Sequence, residues 1–273
     1  MKDRRLGWSD EDLATLPYAR HWNPQLPALS DRARRALENG PLAPPLLPGL
    51  EAAGALFEAA DAPDGYALCP DGEMRVAIDT DLPGVTPAMV DWWFGWHGDD
   101  ARKYKLWHPG AHIHVAWRSP PPPEARGRAR YVGFTSIVDE YIGSRRLQGA
   151  IRFVEPASLG LTHPSLADDT AATAVCARTG LADAPVDVGW LAHMVRRTPT
   201  GSRMRSRFWF GGRHIAGRSL PGGAMAALAR RTLRLGEPEA RALLIHCAQE
   251  MQQLARFLPA LHAQMEGRDI SRP

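Results

Sequence analysis

The alternation of apolar and polar residues changes character along the chain. Up to about residue 72, helical starts are short and proline interrupts them. SDEDLATLPYARHW opens like a capped helix, with Ser9 three residues ahead of Asp12. SDRARRALENG predicts a second short helix between the cap Ser30 and the stop Gly40. PLAPPLLPGL excludes regular helix and central strand. These pieces predict an arm without a large core of its own. In TPAMVDWW, Thr86 caps a helix with Pro87 at its first position; it should end near Trp93 or Gly95 and break near Gly98.

Beyond that point the period becomes two. Strands are expected over 112–119, 130–143, 147–156, 170–180, 186–198 and 202–211, with 120–129 as a proline-rich loop. Such close spacing favours an antiparallel meander over βαβ units. Residues 236–263 then take helical spacing, with Leu243, Leu244, Cys247, Met251, Leu254 and Leu258 in one stripe. The sum is an α+β chain: a curved antiparallel sheet gripping one long helix, with a ligand cavity between them.

Composition narrows the function classes. The chain of 273 residues is 44% hydrophobic and carries 33 basic against 30 acidic residues. That balance gives no reason to expect nucleic acid or an anionic membrane as partner. No apolar run approaches a bilayer span, and MKDRRLGWSDEDLATL lacks the apolar stretch of a secretory signal, so a cytoplasmic protein is expected. The three cysteines, Cys69, Cys176 and Cys247, make no metal-binding pair or disulfide framework. Any metal must therefore be held by histidine and carboxylate. Six of the nine tryptophans, Trp92, Trp93, Trp96, Trp107, Trp117 and Trp190, fall near the candidate site residues in sequence, as core or as walls of an aromatic pocket.

His246 and Glu250 lie four apart on the last helix, on one face, where two ligands can meet one metal ion. They flank apolar-stripe residues and so point inward. His108, His112 and His114 crowd seven positions, and regular alternation puts His112 and His114 on one strand face. Glu140 shares a face with Val138 and Ile142, while Asp139 faces away; an inward strand glutamate is a site candidate, and a bulge reaching solvent is the plain alternative. Two histidines and two carboxylates suit zinc, with Fe(II) and Mn(II) also compatible with these residue types. His193, beside Leu191 and Val195, is either a core histidine or a proton-transfer group. Arg203, Arg205 and Arg207 alternate with Met204, Ser206 and Phe208, which makes one basic, ion-paired or solvated strand face.

Together WWFGWH, RKYKLWHPGAH, the inward glutamate, GSRMRSRFWFG and IHCAQEM resemble the 2,4-diacetylphloroglucinol hydrolase family, which includes phloretin hydrolase, over residues 86–257. The resemblance implies a Bet v1-like helix-grip domain over 86–273, a dimerising arm over 1–85, and a homodimer. It implies a Zn2+ site of His112, Glu140, His246 and Glu250, with Glu140 also counted among the catalytic residues. His97, His108 and His114 receive no assigned role. The implied reaction is hydrolysis of the carbon–carbon bond between an acyl group and a phenolic, phloroglucinol-type ring, giving a carboxylic acid and a phenol. Zinc would lower the pKa of a water and polarise the carbonyl. The leaving ring carbon also needs a proton. Tyr104 is assigned to binding and orienting the phenol and His193 to acid–base work, with Trp190 and Phe208 lining the substrate site. Phe208 stands where the family has a tyrosine that contacts the phenol, which puts the substrate rather than the reaction class in question. A non-catalytic helix-grip carrier of a hydrophobic aromatic ligand would need the cavity but no metal. A metal-dependent oxygenase would prefer two histidines and one carboxylate on iron.

Overall fold

The computed structural model describes residues 4–59, 62–233 and 235–269; the ends of the two expected ranges, 1–3 and 270–273, lie outside them. In the arm, α1 (Asp10–Thr15) begins with the expected capping box on Ser9, and α2 (Asp31–Glu38) is capped by Ser30. The proline-rich stretch forms only 3-10 turns before α3 (Ala53–Glu58). The sheet begins inside the stretch expected to be arm, with β1 (Gly65–Leu68) and β2 (Glu73–Pro83). The signal was present: Met74, Val76, Ile78, Thr80 and Leu82 alternate with Glu73, Arg75, Ala77, Asp79 and Asp81 over a full strand length.

Next come α4 (Pro87–Trp96), α5 (Ala101–Trp107), β3 (His112–Trp117), β4 (Thr135–Ile142), β5 (Arg145–Val154), β6 (Ala172–Leu181), β7 (Val186–Thr198), β8 (Gly201–Gly211), β9 (Ala216–Gly217), α6 (Leu220–Thr232) and α7 (Glu237–Asp269). The expected 130–143 strand begins only at Thr135, after a turn over 131–133, and neither α5 nor α6 was anticipated. Asp100 caps α5 through the Arg102 amide, a cue that was legible.

Every strand pairing is antiparallel, in the order β1-β2-β8-β7-β6-β5-β4-β3, with β9 on β7. α7 packs along β2 and touches β1 near one edge of the sheet and β4 near the other. A single helix can meet both regions only if the sheet curls around it, which is the expected helix-grip arrangement. Of its expected apolar stripe, Leu244, Cys247, Met251, Leu254 and Leu258 are fully buried, while Leu243 is partly buried. α4 fills the remaining concavity against β6 and β7.

On the outer face of β8 the alternating arginines are ion-paired. Arg205 and Arg207 are buried and share Asp79 of β2 at 3.1 and 3.0 Å, while Arg203 meets Asp81 at 2.9 Å near solvent. Removing Asp79 strands two buried guanidiniums. Asp79→Ala should lose about 3–5 kcal/mol of stability in urea unfolding; a loss below about 1 kcal/mol would mean that backbone carbonyls alone satisfy both arginines.

Candidate metal centre and its cavity

α5 ends at Trp107, and the chain turns through His108–Ala111 into β3. The His112 amide bonds back to the His108 carbonyl at 2.9 Å, which fixes that turn. The His112 ring then stacks on Tyr104 of α5, centroids 3.7 Å apart and planes 4° apart. Its Nδ1 lies 2.9 Å from the Tyr104 carbonyl. A carbonyl only accepts, so Nδ1 carries the hydrogen and the Nε2 lone pair faces inward. That is how a metal-binding histidine is usually oriented from behind.

Opposite His112 in the ladder is Glu140, and α7 brings His246 and Glu250 over the same point. The two Nε2 atoms are 3.4 Å apart. Glu140 Oε2 lies 3.5 Å from His112 Nε2 and 3.9 Å from His246 Nε2. Glu250 Oε2 is 3.6 Å from each. Donors at ~2.0–2.1 Å from a tetrahedral ion are roughly 3.4 Å apart. His112, Glu140 and His246 form a group whose ligand atoms lie within 4.8 Å of one another; Glu250 joins it through the two histidines. The N and O donors, their spacing and their burial fit a divalent ion.

Electrostatics point the same way. Burial pushes His112 well below the usual imidazole range, reinforced by His246 and His108, so its ring is neutral and its Nε2 is free to coordinate. Burial raises Glu250 against the pull of His246. In His246 burial opposes the charged form, but Glu250 and Glu140 carry the balance upward. Two carboxylates converging in a buried site call for a cation.

Tyr104 Oη hydrogen-bonds Glu140 Oε2. Burial and the neighbouring carboxylate hold Tyr104 well above its ordinary range, so the hydroxyl keeps its proton and donates it. The tyrosine thus orients two candidate ligands, His112 through its carbonyl and Glu140 through its hydroxyl. Tyr104→Phe should weaken metal affinity about ten- to a hundredfold, the usual cost of removing such a supporting contact. Chelator competition measures this; unchanged affinity with a raised KM would assign the hydroxyl to the ligand instead.

His108 stacks on His246, 4.7 Å between centroids and 11° between planes, hydrogen-bonds Gln249, and is lowered by burial to about 3. It is a neutral wall behind His246. His114 is elsewhere. A bulge between His112 and His114 puts His114 opposite Asp139. Asp139 points off the cavity to Arg146 at 2.7 Å, so the expected shared face of His112 and His114 does not exist.

The carboxylates and His246 open into a cavity of about 590 Å³ between sheet and α7. Tyr104, His193, Phe208 and Trp107, one of the tryptophans expected near the site, line it, as do Ser136 and Thr179, which were not singled out from sequence. Strand parity could have found Ser136, four residues before Glu140. Trp190 is not brought there: Arg178 stacks on it, 4.5 Å from the ring, in a cluster apart from the cavity. Parity already separated it from Leu191 and His193. His193 is buried, lies 2.8 Å from Ser206 Oγ through Nδ1, and packs edge-on to Phe208 at 5.8 Å. Burial lowers it to about 4. His97 also lines the cavity, with Nδ1 2.8 Å from the Trp93 carbonyl.

Among the described residues no helix is long and apolar enough to cross a membrane. The DAPG hydrolase PhiG domain matches residues 53–263. The 2,4-diacetylphloroglucinol hydrolase of Pseudomonas protegens is 32% identical over 262 residues, covering 90% of this chain and 83% of the relative. The phloretin hydrolase of Eubacterium ramulus is 26% identical over 264 residues, covering 93% and 92%. Among solved structures, Ara h 8.0201 covers 69% of this chain and 99% of its own at a TM-score of 0.39 and 8% identity, too distant to support any argument. The extent of the domain match and the identity to the Pseudomonas enzyme place this chain in the 2,4-diacetylphloroglucinol hydrolase family of hydrolases.

Proposed function

We propose that the protein is a zinc hydrolase that cleaves the carbon–carbon bond between an acyl group and a phenolic ring. The observation that carries this is the convergence of His112, Glu140, His246 and Glu250 beside a mostly apolar cavity, with His112 already oriented to coordinate. A carrier of aromatic ligands would need the cavity alone, and the clustering of buried Glu250 with part-buried Glu140 would only destabilise it.

The overall change adds water across an aryl–acyl bond: the acyl carbon gains oxygen, the ring carbon gains hydrogen, and an acid and a phenol leave. Zinc, held by the four residues, would supply a water of lowered pKa and polarise the carbonyl. Tyr104 keeps Glu140 and His112 in register. Phe94, Leu191 and Phe208 keep water from the ring. His193 stands on that apolar wall as the group that can hold or move a proton at the phenol oxygen. Phe208 offers no hydroxyl, so the phenol depends on the remaining polar groups for its orientation.

The test is a set of acylphloroglucinols assayed for acid release with zinc, with iron and after metal removal. Zinc-dependent release supports the reading. Tight binding without release under every condition would make the protein a carrier, and iron-dependent oxygen consumption would make it an oxygenase. The family resemblance alone suggests a homodimer through the arm; a solution mass of one chain at micromolar concentration would exclude it.

A further inference from the structure

Two hydroxyls on the cavity wall lack protein partners. Ser136 Oγ and Thr179 Oγ1 are buried, with residue exposures of 3% and 8%, and neither makes a hydrogen bond within the protein. Both line the cavity. The ladder explains their placement: Ser136 pairs with Ile151, and Ile151 pairs with Thr179, so the three share one face of β4, β5 and β6. The hydroxyl-bearing residues flank Ile151, roughly 10 Å apart across two strand spacings. Ser136 shares its face with Glu140 four residues along β4, roughly 13 Å away.

The same row continues through Gly189 to Phe210. A Cβ at Gly189 would come within 2.4 Å of the Phe210 ring, so the glycine lets that ring lie across β7 beside Thr179. Phe210 also lines the cavity. Far from the metal ligands, the cavity therefore offers an aromatic surface, an aliphatic floor and two hydroxyls. Leaving a buried hydroxyl unpaired is unfavourable, and a site built from such groups discriminates between ligands that do and do not satisfy them.

We propose that Ser136 and Thr179 form a second polar subsite that takes a planar, hydroxylated group at the end of the substrate remote from the scissile bond. This deepens the hydrolase reading and rests on it for the placing of the scissile bond. The group belongs either to the acyl arm or to a substituent on the phenolic ring, and paired ligands distinguish the two.

The experiment is calorimetric binding to the zinc-loaded protein. One pair of probes has a phenol joined to a second ring by a carbon chain without a ketone, with and without a hydroxyl on that second ring. The other pair carries the hydroxyl on a ring substituent. One pair should show about tenfold tighter binding of its hydroxylated member, and that ratio should fall to near one in the Ser136→Ala/Thr179→Val protein. Thr179→Val alone, which keeps the side-chain shape, should lower it partway. No preference in either pair, or a preference that survives the double substitution, would overturn the subsite and leave both hydroxyls to bound water. These probes cannot be hydrolysed, so failure of the hydrolase reading would appear separately, as absence of acid release from the matching ketone.

Discussion

His246→Ala is expected to give a folded protein that holds no metal and has lost at least about a thousandfold in activity. The Nε2 of His246 lies 3.4 Å from that of His112, 3.6 Å from Glu250 and 3.9 Å from Glu140, so its removal opens one side of the donor set. A bound metal supplies several kcal/mol of transition-state stabilisation, and each ~1.36 kcal/mol is tenfold in rate. The fold should survive. The His246 ring borders the large cavity and a second, open groove beside His108, so the space it vacates joins existing space and seals no void. The stability loss then sits near the low end for such truncations, about 2 kcal/mol. Metal content by elemental analysis, with circular dichroism as the control, decides the matter. A variant that retains one equivalent of metal would remove His246 from the site. Glu250→Gln asks the same of the fourth donor, keeping its shape while removing its charge. Unchanged zinc affinity there would leave a site of three donors.

Much of the architecture could be read from the period-two pattern of the strands, although the outer faces of β6, β7 and β8 are not uniformly polar: Cys176, Met194 and Trp209 pack there against Leu56, Phe57 and Leu159. What escaped had specific causes. The β2 segment reads as part of the arm, and its Asp79 is buried by the arginines of β8, a partner strand more than a hundred residues later. The bulge after His112 changed which histidines share a face, and nothing in HIHVAW marks it. Without it, His114 would compete with His112 for the metal; with it, His114 faces the Asp139 side. The convergence of His112, Glu140, His246 and Glu250 depends on tertiary placement, so the residues alone left several metals and a solvated pair open. Tyr104 and Ser136 carry the reverse lesson. The side chains were visible, but the tyrosine's bond to Glu140 and the serine's lack of any bond become apparent only once the strands are in register.

His193→Ala should cut kcat by roughly 10²–10⁴, the range typical of a lost general acid or base, with zinc content unchanged. The ring touches none of the four donors; it lies between Phe94 and Phe208 with Nδ1 on Ser206. Burial alone holds it at about 4, with no carboxylate to offset the loss of hydration, so in the free protein it is neutral across the physiological range. It therefore cannot serve as a ready-protonated acid, and the activity of the free enzyme should show no titration of this group near pH 6.5. A phenolate placed against the ring changes the balance, because it supplies the negative charge that the empty pocket lacks and raises the imidazole toward neutrality. The proton needed by the leaving ring carbon can then be held at His193 and returned from it. Two measurements separate this from simple orientation. Calorimetry of a phenolic product at a pH above its own pKa, where it binds as the phenolate, in buffers of different ionisation enthalpy should show proton uptake in the wild type and none in His193→Ala. His193→Gln retains a hydrogen-bond donor but cannot take up a proton at that pH, so it should be as slow as the alanine variant. Recovery to within tenfold of wild type in the glutamine variant would reduce His193 to an orienting contact, and near-full kcat in the alanine variant would move the proton to Tyr104 or to water at the metal.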